Sequence, residues 1–325
     1  MKENKFKWCF IGTGTLAKKV AKEILASGKH EIISVYTRNL EKGKAFTDRF
    51  GGVAYATPEE AMNAEGVQGI YVVTPHSAHY EYTKLAIELG KPVLCEKAFT
   101  TDANQAKELF ALAKEKGVYV VEGMWTWFAP VAHQVKKWLE EGAFGEIKKV
   151  HFNYHMDVRN YAPRLTDPNL AGGALLDIGV YPITYLYRLF GKPVKVECKG
   201  IVENGIDWKE DVYLTFKNGQ TYIASVSMRD MKGLEKLRIE GTDASLRLNW
   251  YHYANRVTLK KGFLRNEKFS GDGSMLNEFN LVAEEILSGR KESQYVPPQA
   301  TIDVMEIMDE CRRQMNLVYP FESVK

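Results

Sequence analysis

Cysteine is scarce in this chain. Its four thiols, Cys9, Cys95, Cys198 and Cys311, stand far apart and none belongs to a CxxC pair. That spacing argues against zinc clusters and against a disulfide framework, and points to the reduced thiols of a cytoplasmic protein. An excess of one charge is lacking too: 44 basic residues against 41 acidic ones leave a formal net charge of +3. So small a surplus gives no reason to expect a nucleic-acid partner. No apolar run approaches a membrane span. The opening MKENKFKWCFIG has neither the length nor the small-residue cleavage site of a secretory leader. Repeats and low-complexity segments are missing as well.

What remains is an ordinary globular composition, 45% apolar and 26% charged over 325 residues. That length exceeds what one hydrophobic core usually serves, so two domains are expected. Over the first 120 or so positions short apolar runs (KWCFIG, EIISVYT, GIYVVT, KPVLCEK, VYVVEG) alternate with amphipathic segments such as TLAKKVAKEILAS and DANQAKELFALAKEKG. Strands separated by helices read as βαβ units around a parallel sheet. After Gly123 the pattern changes to strands with little helix between them. DVYLTFKNGQTYIASVSM is an alternating pair joined by Asn218-Gly219, a hairpin signal. The expected fold is α/β: a Rossmann dinucleotide-binding domain over 1–123, then an α/β domain with a large, mostly antiparallel open sheet over 124–325.

Gly12, Gly14 and Ala17 form a GxGxxA pattern that follows a strand and opens a helix. In that context the first glycine allows a tight turn and the second lets the backbone approach a pyrophosphate. The small third residue allows close helix–strand packing. Backbone N–H groups of Thr13, Thr15 and Leu16 would join the phosphate contacts. An acid at the end of the second strand would select NAD, but that strand ends SVYTRN. Thr37 and Arg38 can hold a 2′-phosphate instead, which predicts NADP(H) over NAD(H). A glycine turn that binds nothing and a solvated Arg38 are the blander alternatives.

In an open parallel sheet ligands sit beyond the carboxyl ends of the strands. VVTPHSAHY, LCEKAF and VEGMWTWF occupy such ends. Thr74, Pro75, His76 and His79 are candidate cofactor contacts, although a histidine at a helix start is often a simple cap. Glu96 and Lys97 follow a buried strand, so the Lys97 ammonium is expected in the cleft; a surface Glu–Lys pair is the alternative. Among the aromatic residues Trp125, Tyr161 and Phe279 are candidates for an apolar substrate wall, against the usual fate of aromatics as core. No ligand set has metal spacing. His151 and His155 read as sheet-face residues. AGGALLDIGVYPITYL, residues 171–186, places Asp177 and Tyr181 four apart on an apolar helix, where an unpaired carboxylate is costly.

As a set, the GxGxxA loop, TPHSAH, EKAF and GGALLDIGVYPI resemble the Gfo/Idh/MocA family of NAD(P)-dependent oxidoreductases. EGMWTWFAP and LLDIGVYPI are similar to the branch that includes dimeric trans-dihydrodiol dehydrogenases and NADP-linked D-xylose dehydrogenases. Ala98 stands where the family has proline, and Trp127 where the branch often has arginine. The resemblance implies that Gly172 and Gly173 let a helix begin close to the cofactor. It implies Tyr181 as general acid/base assisted by Lys97, with Asp177 orienting a substrate hydroxyl or Lys97. It further implies a homodimer through the C-terminal sheet. The substrate would be a sugar, polyol or trans-dihydrodiol. An NAD-dependent glycosidase of the same fold and a nucleotide sensor without turnover are the alternative functions.

Overall fold

A computed structural model describes residues 5–159, 163–262 and 265–322. The chain opens with β1 (Phe6–Ile11), α1 (Thr15–Ala26), β2 (His30–Tyr36), α2 (Leu40–Phe50), β3 (Val53–Tyr55), α3 (Pro58–Met62), β4 (Gly69–Val72), α4 (His79–Glu88), β5 (Val93–Glu96), α5 (Ala103–Lys116) and β6 (Val120–Gly123). It continues with α6 (Pro130–Glu140), β7 (Ile147–His155), a π-helical turn (Leu175–Gly179) running into α7 (Val180–Phe190), and β8 (Lys195–Glu203). Then follow β9 (Ile206–Thr215), β10 (Thr221–Ser227), β11 (Glu235–Gly241), β12 (Ser245–Asn249), β13 (Arg256–Lys261), β14 (Arg265–Ser270), α8 (Leu276–Leu287) and α9 (Pro298–Met315).

Two compact units result: 1–125 with 275–301, and 126–274 with 302–325. The first carries a parallel sheet in the order β3-β2-β1-β4-β5-β6. All four residues of β4, β5 and β6 are buried, as a sheet covered on both faces requires. α1 turns Ala17, Val20, Ala21 and Ile24 inward, the i, i+3, i+4, i+7 stripe of an amphipathic helix. α5 starts where Asp102 accepts from the Gln105 N–H at 2.9 Å and stops at Gly117 in the left-handed conformation.

The sequence reading placed everything beyond Gly123 in the second domain, yet 275–301 packs with the first unit. Phe279 stands edge-on to Trp8 and Tyr71. His30 Nε2 lies 3.0 Å from Asn280 Oδ1, and Tyr119 Oη donates to Glu285 at 2.6 Å. Buried polar groups of the Rossmann sheet thus find their partners about 250 and 166 positions later in sequence, where only tertiary structure could place them.

The second unit is built on an eight-stranded sheet, β14-β13-β12-β11-β7-β10-β9-β8, antiparallel except for the β7–β10 pair. The Asn218-Gly219 hairpin forms as its residues dictate, with Gly219 at φ 79° and Phe216 N–H donating to Gln220 O at 2.9 Å. A bulge interrupts β9: Ile201 of β8 pairs with Lys209 while Val202 pairs with Asp207. The extra residue breaks the in–out alternation, so Asp207 and Glu210, three apart, both face inward and are fully buried.

Candidate functional site

The phosphate loop has the shape its glycines predict. Gly12 has φ +114°, and a Cβ there would lie 2.6 Å from the Val73 carbonyl oxygen. Gly14 caps α1 without a side-chain hydrogen bond, and α1 has no acid in its first turn. A Cβ on Gly14 would meet nothing within 4 Å. The first N–H groups of α1 have no intrahelical acceptor and lie at the positive end of the helix, and the space beside Gly14 is open, which fits a pyrophosphate. Ala17 is fully buried beneath the loop; Thr13 and Leu16 are half-buried and Thr15 is exposed. Beyond β2, Thr37 is half-buried and Arg38 exposed. The next acid, Glu41, is paired with Lys44 at 2.9 Å.

Beyond β4, Thr74 and Pro75 lead into a single 3-10 turn over His76–Ala78. His76 is buried, with its ring edge-on to His79 at 5.6 Å. His79 is fully buried and its two ring nitrogens each lie 2.9 Å from a backbone carbonyl, Nδ1 from Ala98 and Nε2 from Thr74. Both nitrogens face protein carbonyls, so the ring ties two loops together. Glu96 is likewise engaged by the protein. Its carboxylate is buried and accepts from Tyr71 Oη at 2.6 Å, and that pairing together with burial pushes the Tyr71 phenol up.

Lys97 is half-buried after β5, and the Lys97–Ala98 peptide is cis. Two further acids lie under this turn. Glu122 accepts from the Phe99 N–H at 3.2 Å and from Thr301 Oγ1 at 2.8 Å; burial pushes its carboxyl up to about 7, against the opposing pull of Lys97. Glu278 is fully buried and raised by burial and by its neighbours Glu96 and Glu122.

In the second unit Asp177 finds the partner that an apolar helix demands: Arg164 Nη2 donates to its Oδ1 at 3.3 Å. Asp177 belongs to the π-helical turn and is 7% exposed; Tyr181, one residue into α7, is 6% exposed. Single π turns of this kind often occur at functional sites. Rings of Tyr154 and His252 each lie 5.9 Å from the Tyr181 ring, and Tyr154 stacks on His252 at 5.2 Å. Buried Glu235 pairs with His252 Nδ1 and accepts the His252 backbone N–H at 2.6 Å. The two glycines before this turn allow close packing. A Cβ on Gly172 would lie 2.6 Å from Leu165 O, and Gly173, at φ +129°, leaves no room for one beside the Asp207 carboxylate.

Of the residues expected to form a substrate wall, one is core instead. Phe279 is a core residue, fully buried among Trp8, His30 and Tyr71. Trp125 is 3% exposed at the end of the first unit, and Tyr161 lies outside the described residues. Trp127 is fully buried, 5.2 Å from Tyr185 and covered by the Arg188 guanidinium at 4.7 Å. Sequence reasoning missed Arg164, Glu235 and His252, and with them Asp207 and Glu210. The one available signal was an acid inside an apolar strand in GIDWKEDVYL.

No helix among the described residues is long and apolar enough to cross a membrane, and no described cluster of His, Cys, Asp or Glu could hold a metal. A model of the Gfo/Idh/MocA oxidoreductases, with an NAD-binding Rossmann fold, matches residues 6–124, and that family's C-terminal domain model matches 132–247. Trans-1,2-dihydrobenzene-1,2-diol dehydrogenase of Mus musculus is 29% identical over 331 residues, covering 97% of this chain and 98% of the mouse protein. D-xylose 1-dehydrogenase (NADP(+)) of Hypocrea jecorina is 29% identical over 364 residues, covering 97% and 93%. Among solved structures, a 3-ketoreductase from Actinomadura kijaniata in complex with NADP and TDP-benzene superposes with a TM-score of 0.85 at 24% identity, covering 96% of this chain and 98% of that one.

Proposed function

Because the chain belongs to the Gfo/Idh/MocA family of NAD(P)-dependent oxidoreductases, we propose that it interconverts a secondary alcohol or hemiacetal with the corresponding carbonyl or lactone, using NADP(H). The substrate class is a sugar, polyol or trans-dihydrodiol. The observation that carries this reading is the start of α1, where Gly14 supplies no cap, no acid intrudes and the space a Cβ would take is empty. When bound, NADP supplies a nicotinamide ring that accepts or returns hydride.

The residues of the chain divide the remaining work. Backbone N–H groups from Thr13 to Leu16 hold the pyrophosphate. Thr37 and Arg38 hold the 2′-phosphate, with no acid at the end of β2 to repel it. Thr74, Pro75 and His76 line the approach to the ring. Tyr181 Oη takes the hydroxyl proton of the carbon being oxidised and returns it in the reverse direction. Lys97 takes the role the family resemblance implies, an ammonium that favours the phenolate this transfer requires. Asp177, aligned by Arg164, orients a neighbouring substrate hydroxyl, and Trp125 contributes apolar surface. The protein acts as a cytoplasmic homodimer joined through the sheet of the second unit, the arrangement the family resemblance implies.

The test is reduced-nicotinamide absorbance with NADP+ or NAD+ and a panel of aldoses, inositols and trans-dihydrodiols, with sugar glycosides run in parallel. NADP+-dependent reduction by at least one substrate supports the reading. Free sugar released from a glycoside without net reduction would make the protein a glycosidase. Binding of NADPH with no turnover would make it a sensor.

A further inference from the structure

The bulge in β9 turns two acids toward one short element. Asp207 Oδ2 accepts the Leu175 N–H at 2.5 Å, and the same carboxylate also takes the Ala174 N–H. It occupies the volume that any side chain on Gly173 would need. Glu210 is buried beside Asp207, and its Oε1 sits 3.2 Å from where a Cβ on Gly179 would project. One acid therefore meets the beginning of the Leu175–Gly179 turn and the other its last residue. Both side chains are fully buried.

Charge and geometry agree. Burial, and the charge of the neighbouring Asp207, raise the Glu210 carboxyl well above its ordinary value, and burial raises Asp207 as well. Asp207 takes its backbone N–H groups at the N-terminal end of the helical run, where the backbone dipole favours an anion. Cys198, Asp211, Cys311 and Tyr319 are the other titratable groups facing the pair.

We propose that Asp207, with Glu210 packed beside it, is a positioning residue for the reaction: Asp207 holds the start of the π turn by its backbone N–H groups, Glu210 packs against its last residue, and together they set the directions in which Asp177 and Tyr181 present their side chains. A π turn holds one residue more than the α-helical turn it replaces. Released from the clamp, the segment relaxes toward α-helix and Asp177 swings about 100° around the axis relative to Tyr181. The second glycine of GGALLD, Gly173, is required by the same contact. This inference rests on the reading of Tyr181 as the acid/base.

The test separates positioning from folding and from cofactor binding. Asp207→Ala is expected to lower kcat about tenfold or more, while NADPH affinity measured by fluorescence titration stays within about twofold. Asp207→Asn retains an oxygen for Leu175 and is expected to stay within about threefold of the parent kcat. Wild-type kcat in Asp207→Ala, equal losses in the Ala and Asn variants, or parallel loss of NADPH affinity would each overturn the proposal. Should Asp207→Ala fail to fold by circular dichroism, Glu210→Leu against Glu210→Gln repeats the comparison: loss of kcat confined to Leu supports the clamp, and equal rates overturn it. Tyr181→Phe is assayed alongside. Full turnover in that variant overturns the reading of the site, whereas its loss together with full turnover in Asp207→Ala overturns the positioning role alone.

Discussion

His79 Nδ1 lies 2.9 Å from the Ala98 carbonyl, one residue past Lys97, while its Nε2 lies at the same distance from Thr74 O. One imidazole thus links the ends of β4 and β5 and holds the turn that carries the lysine. A neutral ring can donate to one carbonyl at a time, and an imidazolium to both. Replacing it with alanine leaves two buried carbonyls without this partner. His79→Ala is expected to cost about 1–3 kcal/mol in urea unfolding and to lower kcat through the displaced Lys97. Unchanged stability would show that the bridge contributes nothing.

On the proposed reading Arg38 selects the cofactor: no acid directly follows β2, Glu41 is paired with Lys44, and the guanidinium would distinguish a 2′-phosphate from a hydroxyl. Arg38→Ala is expected to weaken NADPH binding by about 1.5–3 kcal/mol, the usual range for a hydrogen bond to a charged group, and to leave NADH affinity nearly unchanged. Equal weakening of both dinucleotides in a fluorescence titration would contradict this.

Glu122 gives the fold a pH dependence of known sign. Its carboxyl is raised from the ordinary 4.5 to about 7, so between those values the folded state binds more protons than the unfolded chain. Stability from this group is fully present below pH 4.5 and is lost as pH rises through about 7. Each pKa unit is worth about 1.4 kcal/mol, so the swing is roughly 3 kcal/mol. Glu122→Gln keeps an oxygen for the Phe99 N–H and turns its NH2 to Thr301 Oγ1, which can accept, without the titration. Its Tm is expected to fall less than that of the parent across this window; identical slopes would rule out Glu122 as the source.

Sequence carried the fold and the backbone geometry of the glycine loop because both follow from local rules. Gly12, Gly14 and Ala17 sit at fixed offsets from a strand and a helix, and the contacts around them are those the spacing demands. The βαβ alternation and the Asn218-Gly219 hairpin are equally local. What escaped is non-local. Phe279 reads as any helical aromatic until α8 is seen packed on Trp8 and Tyr71. Asp207 and Glu210, three apart in a strand, belong to opposite faces until the bulge with β8 turns both inward. His79 and Glu96 occupy the right loops, but their side chains answer to Ala98, Thr74 and Tyr71. Arg164 is invisible beside Asp177 because the pairing depends on how the loop before the π turn folds back.

The account stands on proton transfer at Tyr181 assisted by Lys97, and steady-state turnover of Tyr181→Phe with NADP+ and the best substrate of the panel tests it most directly. Loss of the phenolic oxygen is expected to lower kcat by about 10²–10⁴, the range for a positioned acid or base, with NADPH affinity intact. Turnover at the parent rate would contradict it.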